Sequence, residues 1–226
     1  MALKYKTLLR WHIWLGWLIG IPLILWTASG LFMAARPIDE VRGTQLNRVP
    51  LPLTIATPVA PKLSGRAAER ISLEQRIGEP VWIIQYIDGS SGRARASDGA
   101  SLPPITADEA KVLAKFYYSG PAKPIAVTSF DKDKPPLDLR KGRPSWRVSY
   151  DDGTHLYIDA DSGSKLAIRT RYWRIYDFMW GLHIMDLQTR ENTSHPILIG
   201  FAGTALLALL IAFWMLIIRQ RRKPRA

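Results

Sequence analysis

The stretch Pro144-Ser-Trp-Arg-Val-Ser-Tyr-Asp-Asp-Gly-Thr-His-Leu-Tyr-Ile-Asp-Ala-Asp-Ser-Gly-Ser-Lys-Leu166 decides the fold of the central part of this chain. Trp146, Val148 and Tyr150 alternate with polar residues, the period of a half-buried strand. Asp151-Asp152-Gly153 then makes a turn, His155 to Asp159 returns, and Asp161-Ser162-Gly163 turns again before a third strand from Lys165 to Arg169. The same pattern recurs 64 residues earlier without a gap. Pro80, Trp82, Tyr86, Asp88, Gly89, Ala96, Gly99 and Leu102 fall on Pro144, Trp146, Tyr150, Asp152, Gly153, Ala160, Gly163 and Leu166, eight identities in 23 positions. Composition alone gives roughly one or two. The middle of the chain is therefore two copies of one antiparallel unit.

Ahead of the second copy, Thr106-Ala107-Asp108-Glu109 is a capping box, and it opens a helix whose Val112, Leu113, Phe116 and Tyr117 share a face before Gly120-Pro121 closes it. By the same logic a helix containing Glu69 to Ile77 is expected ahead of the first copy, so that each unit is a helix packed on a small meander. Between the second helix and its sheet lies a Pro- and Lys-rich insertion, Pro121 to Arg143, in which Ile125 to Phe130 is expected to add an edge strand.

Further outward the chain changes character. Residues 11 to 35 contain no Asp, Glu, Lys or Arg, and neither do Ser194 to Ile218. As helices these blocks reach roughly 35 Å, enough to cross a hydrocarbon layer about 30 Å thick. The first could be taken for a signal peptide, with small residues at Ala34-Ala35. Its length and its opening Trp11, Trp14 and Trp17, which suit an interfacial belt, predict a retained anchor instead. The formal charge is +12. Lys4, Lys6, Arg10, Arg219, Arg221, Arg222, Lys223 and Arg225 supply eight of those charges from the two ends, leaving 23 basic and 19 acidic residues between them. Basic residues flanking both spans on one side predict two cytoplasmic termini. No basic stripe with interleaved aromatics points to nucleic acid. A cysteine count of zero excludes disulfides, thiolate metal sites and cysteine catalysis.

The pattern from Trp146 to Leu166, with its Asp-Gly turn and Asp-Ala-x-Ser-Gly, resembles the PepSY domain. Arg10-Trp11-His12-Ile13-Trp14-Leu15-Gly16 through Thr27-Ala28-Ser29-Gly30 resembles the PepSY-associated transmembrane helix of bacterial inner-membrane proteins. Trp173-Arg174-Ile175-Tyr176-Asp177-Phe178 through Gly181-Leu182-His183-Ile184-Met185-Asp186 is similar to the segment leading into their last helix. The resemblance implies an inner-membrane protein with a periplasmic middle. Larger members have four spans and include haem-holding ferric-siderophore reductases. The expected fold class is α+β: two transmembrane helices flanking a periplasmic double PepSY-like module. The expected divisions are a cytoplasmic N-terminus (1–10), a span (11–35), a linker (36–63), the two repeats (64–103 and 104–170), an interfacial helix and bend (171–194), a second span (195–218) and a basic cytoplasmic tail (219–226).

Gly16 and Gly20 follow His12 at steps of four, and Gly200, Thr204, Ala208 and Ala212 repeat the spacing in the second span. Such stripes let helices approach closely, within the chain or in a homodimer. His12, His183 and His195 lie in or beside the membrane segments, where an ionisable group is a functional candidate. His12 and His195 belong to opposite ends of the spans and cannot share one iron. A bend from Gln188 to Ser194 is expected to bring His183 over His195, an axial pair for haem b, with Arg171 or Arg174 toward the propionates. His155 is expected to be an exposed polar residue. Asp159 to Gly163 lacks the closing Glu of a calcium loop, and no HExxH, phosphate loop or nucleophile elbow is present. Two functions follow as expectations. One is a non-enzymatic accessory whose periplasmic repeats bind a protein or small ligand; the other is a haem-dependent membrane oxidoreductase.

Overall fold

The computed structural model describes residues 2–54 and 57–220; the basic cluster from Arg221 to Arg225 lies outside the described residues, as do the side chains of residues 2–5. The chain divides into a helical unit, Met1–Pro37 with Ile175–Ala226, and a sheet unit, Ile38–Arg174.

The helical unit is built on α1 (Ala2–Ala34) and a C-terminal helix (Pro196–Gln220). Their apolar spans, Lys6–Ala34 and Pro196–Gln220, are both long enough to cross a membrane. On α1 the residues turned inward recur at alternating steps of three and four, His12, Leu15, Ile19, Pro22, and then Ser29. On the C-terminal helix Phe201, Thr204, Ala208, Ile211 and Met215 do the same. This is the seam of two helices crossing at a shallow angle. Trp26, late in α1, meets Phe201, early in the other helix, with ring centroids 6.5 Å apart, so the two run antiparallel. Outside the seam the surface is apolar all round. Trp14 and Trp17 are 75% and 78% exposed and Leu209 68%, which suits lipid rather than water. Thr204 and Ala208 lie on this seam within one chain. Around Gly16, Gly20 and Gly200 there is open space instead.

The sheet unit begins with a one-turn helix, α2 (Ile38–Val41), and a 3-10 turn (Thr44–Leu46). Two four-stranded antiparallel sheets follow. The first is β1 (Ala68–Gln75), β2 (Pro80–Tyr86), β3 (Ser91–Arg95) and β4 (Ser101–Leu102). Helix α3 (Ala107–Tyr117) leads into the second, β5 (Pro124–Phe130), β6 (Ser145–Tyr150), β7 (His155–Asp159) and β8 (Lys165–Arg169), after which α4 (Arg171–His183) crosses into the helical unit. The C-terminal helix is α5.

Equivalent residues make equivalent bonds in the two sheets. Gly89 and Gly153, with φ of 79° and 81°, close three-residue hairpins in which Tyr86 and Tyr150 accept from their amides. The Trp82 and Trp146 indoles donate to Val59 O and Ile105 O at 2.7 and 3.0 Å. Val59 and Ile105 donate in turn to Ala96 O and Ala160 O. Ala68 and Pro124 open β1 and β5 at the same place in the pairing, opposite Tyr86 and Tyr150, with a register shift beside each.

The helix expected over Glu69 to Ile77 is absent, and β1 occupies that stretch. The reason is chain length. From Ile105 to Pro124 there is room for α3; from the matching Val59 to Ala68 there is less than half as much, and it is crossed without a helix, with one tight turn at Ser64-Gly65 in which Arg66 N–H donates to Leu63 O. Ala60 O consequently lies 2.2 Å from where a Cβ on Gly99 would be. The capping box forms as expected, Thr106 Oγ1 accepting from Glu109 N–H and the Glu109 carboxylate from Thr106 N–H. The buried face of α3 is rotated from the expected one: Ala110 and Ala114 point into the core with Leu113 and Tyr117 beside them, and Val112 is exposed. This core joins α3 to Val148, Leu156, Ile158 and Ile168; the first sheet keeps a much smaller one around Ile84, Tyr86 and Ala94.

Candidate functional site

In the helical unit His183, the last residue of α4, docks on α1. Its ring stacks on Trp26 at 4.7 Å with planes 16° apart, and Gly30 makes room for it: a Cβ there would stand 3.1 Å from Cε1. Nδ1 lies 3.1 Å from Trp26 O and 3.2 Å from Ser29 Oγ, while that hydroxyl donates to Trp26 O at 2.8 Å. A carbonyl only accepts, so Nδ1 carries a proton, which in the neutral ring leaves the lone pair on Nε2. A histidine oriented through Nδ1–H to a backbone carbonyl is in the state that ligates a metal through Nε2.

The segment after His183 fixes this position. Asp186 N–H donates to Gly181 O and Met185 N–H to Leu182 O, with Met185 left-handed at φ 56°, a Schellman ending made without glycine. The Asp186 carboxylate then accepts from the Thr189 hydroxyl and from the amides of Thr189, Asn192 and Glu191. The Thr189 hydroxyl first, and those amides after it, hold the carboxyl well below the ordinary carboxylate range. Arg190 pairs with the buried Asp177 at 2.7 Å, and Trp180 Nε1 donates to Arg190 O.

The bend from Gln188 to Ser194 is therefore present and internally braced. Among the described residues, His183 and His195 make no hydrogen bond or ring contact with one another. His195 caps α5: its carbonyl accepts from Ile199 N–H and its Nδ1 from Ile197 N–H, at 3.4 Å. His12 lies on the seam, where its Nδ1 is buried and has no hydrogen-bond partner among the described residues. Arg174 donates to Gly153 O and Arg169 O within the sheet unit, and Arg171 is exposed at the start of α4. His155 is not exposed. It is half-buried with Nδ1 3.1 Å from Asp138 Oδ2, and the buried Tyr157 donates to the same carboxylate. The insertion carrying Asp138 is thereby clipped to the outer face of the second sheet, with Leu139 packed on Tyr157 and Ala167.

The sheet unit holds a second candidate, a cleft of about 440 Å³ between the first sheet and α3. Ile77, Val81, Leu102 and Val112 give it apolar walls, and the guanidiniums of Arg76 and Arg93 border it. Arg76 is buried, donating to Gly163 O and Ser164 Oγ and paired with Glu74 at 3.0 Å. Burial pulls its pKa down, Glu74 opposes this, and the Arg93 charge adds to the lowering. Arg93 is held by both oxygens of Glu109 and by Pro103 O.

Sequence reading singled out His183 but not its seat. Ser29, a polar residue deep in an apolar block, was the available signal for that seat. Nothing in the sequence marked Arg76 and Arg93 as neighbours, because Arg76 falls in the stretch that reads as a helix and only the strand β1 brings it to the same sheet as Arg93. Comparison with protein-family models, with curated proteins and with solved structures gives no match to this chain.

Proposed function

We propose that the chain is a membrane-anchored binding protein of PepSY type, with a non-enzymatic accessory role, whose sheet unit takes up a periplasmic peptide or small ligand in the cleft between the first sheet and α3. The cleft carries this reading. Its size suits a ligand of a few residues, Ile77, Val81, Leu102, Val112 and Leu113 give it an apolar wall, and the guanidiniums of Arg76 and Arg93 beside that wall are fixed by their own partners. A photo-crosslinking residue at Val112 or Ile77 of the full chain, in intact cells, should give discrete adducts that the same residue at Asp152, on a distant hairpin, does not. Equal labelling at all three positions would count against the cleft.

A second reading has one observation in its favour, the seat of His183. There the chain would hold haem b and pass electrons across the membrane. His183 would offer haem iron its Nε2, while His195 Nδ1 accepts the Ile197 N–H at the start of α5. Bound haem would supply the one-electron chemistry. Ser29 and the Trp26 carbonyl would orient the imidazole, and Gly30 would keep α1 clear of it. A reduced haem spectrum in purified membranes that is lost in His183→Ala and kept in His155→Ala would favour this reading over the first. In a homodimer, the open glycines Gly16, Gly20 and Gly200 would leave two chains free to pack closely.

A further inference from the structure

We infer that β5 is a self-association edge, and that two copies of the chain pair their β5 strands antiparallel about a two-fold axis through Thr128. The argument starts from how the four sheet edges are treated. An open edge offers unpaired amides and carbonyls to any extended strand, and proteins blunt it with charge, brevity or cover. β1 carries Glu69, Arg70 and Glu74. β4 is two residues long and runs into Pro103. β8 is covered, with Gly43 against Ile168 and Lys165 donating to Asn47 Oδ1. β5, Pro-Ile-Ala-Val-Thr-Ser-Phe, has no charge and is largely exposed. Pro124 and the register shift beside it restrict its open part to Ala126–Phe130.

The backbone phase determines which groups point outward. Tyr150 donates to Thr154 O and accepts from Gly153 N–H, so its amide and carbonyl face β7. Alternation along β6 then turns Ser149, Arg147 and Ser145 toward β5, where they lie opposite Ala126, Thr128 and Phe130. Val127 and Ser129 accordingly direct their backbone groups away from the sheet. A two-fold axis at Thr128 sets Val127 against Ser129 of the second copy, and these outward groups can then bond in both directions. On the outer face it sets Thr128 against its own mate, a favourable cross-strand pair, and the exposed Ala126 against the half-buried Phe130.

The occupant is a second copy because symmetric pairing brings each side chain to itself or its mirror position, where an uncharged strand meets no like charge. A charged peptide would find nothing on β5 to select it. Five residues of edge are weak on their own. Two spans per chain, however, would hold all copies in one layer in one orientation and raise their effective concentration. The inference rests on that anchoring.

The chain has no cysteine, so single cysteines can be placed in the full-length protein and oxidised in native membranes. Thr128→Cys puts two thiols on a non-hydrogen-bonded pair with Cα atoms about 4.5 Å apart, within disulfide reach. Ala126→Cys on the same face would lie about 13 Å from its mate, and Ser72→Cys occupies the matching place on β1. Thr128→Cys should form linked dimers at least about tenfold faster than either control. Adding Ser129→Pro, which removes an outward N–H and leaves the bonds to β6, should bring that rate down to the controls. Equal rates at the three positions, faster linking at Ser72→Cys, or no effect of Ser129→Pro would overturn the inference. Recovery of the chain in the soluble fraction would refute the anchoring, and the inference with it.

Discussion

Gly30 and His183 show how a single missing side chain can hold a site together. The imidazole lies flat between Trp26 and the α1 backbone, and a Cβ at position 30 would already crowd it at 3.1 Å. Gly30→Val should push the ring off Ser29 and Trp26 O. An overpacked contact of this kind costs about 1–3 kcal/mol, read as a lower midpoint for unfolding of the detergent-solubilised protein. Gly16→Val, over open space, should leave that midpoint in place. Asp138 is the second residue whose neighbours define a measurable property. Burial pushes its carboxyl up, but the bonds from His155 and Tyr157 outweigh this and hold it below the ordinary value. A carboxyl depressed in the folded state stabilises above its unfolded pKa of about 3.9 and loses that contribution as pH falls through the folded value. Stability of the sheet unit should therefore decline below about pH 4, and Asp138→Asn should flatten that decline. An unchanged acid limb in Asp138→Asn would show that the clip on the insertion contributes nothing there.

Among the elements, β6, β7, β8 and the capping box of α3 were legible in the sequence because each is decided locally, by alternation and by Asp-Gly turns. β1 was not. Its Ile71 and Leu73 alternate among charged residues that a solvent-facing edge tolerates, so the stretch reads equally well as a helix, and only the short run from Val59 to Ala68 decides against one. Val112 was misassigned for a related reason: two small alanines, Ala110 and Ala114, form the contact, and small residues carry little signal in a hydrophobic pattern. The same alanines are the sensitive points of α3. Ala114→Leu should destabilise the sheet unit by about 1–3 kcal/mol through overpacking. Trp146→Ala, which removes a core side chain and its bond to Ile105 O, should cost roughly 3–5 kcal/mol. Denaturation followed by tryptophan fluorescence should show Trp82→Ala milder than Trp146→Ala, since the core beneath Trp82 is the smaller one. Equal losses would mean that the two sheets unfold as a single cooperative body whatever the size of each core.

For the molecule as a whole, the two apolar ends were legible because twenty-five uncharged residues in a row need no context. The seat of His183 and the cleft beside α3 were not, since both join residues far apart in sequence. In the proposed topology the two candidate spans return the chain to the side it started from, because most of the excess basic residues stand at the ends. The absence of cysteine makes this directly measurable. Lys132→Cys lies on the exposed insertion of the sheet unit and Gln220→Cys at the end of α5. Labelled in intact spheroplasts with a membrane-impermeant maleimide, Lys132→Cys should react at once and Gln220→Cys only after the membrane is permeabilised. Protection of Lys132→Cys, or labelling of Gln220→Cys without permeabilisation, would contradict the account.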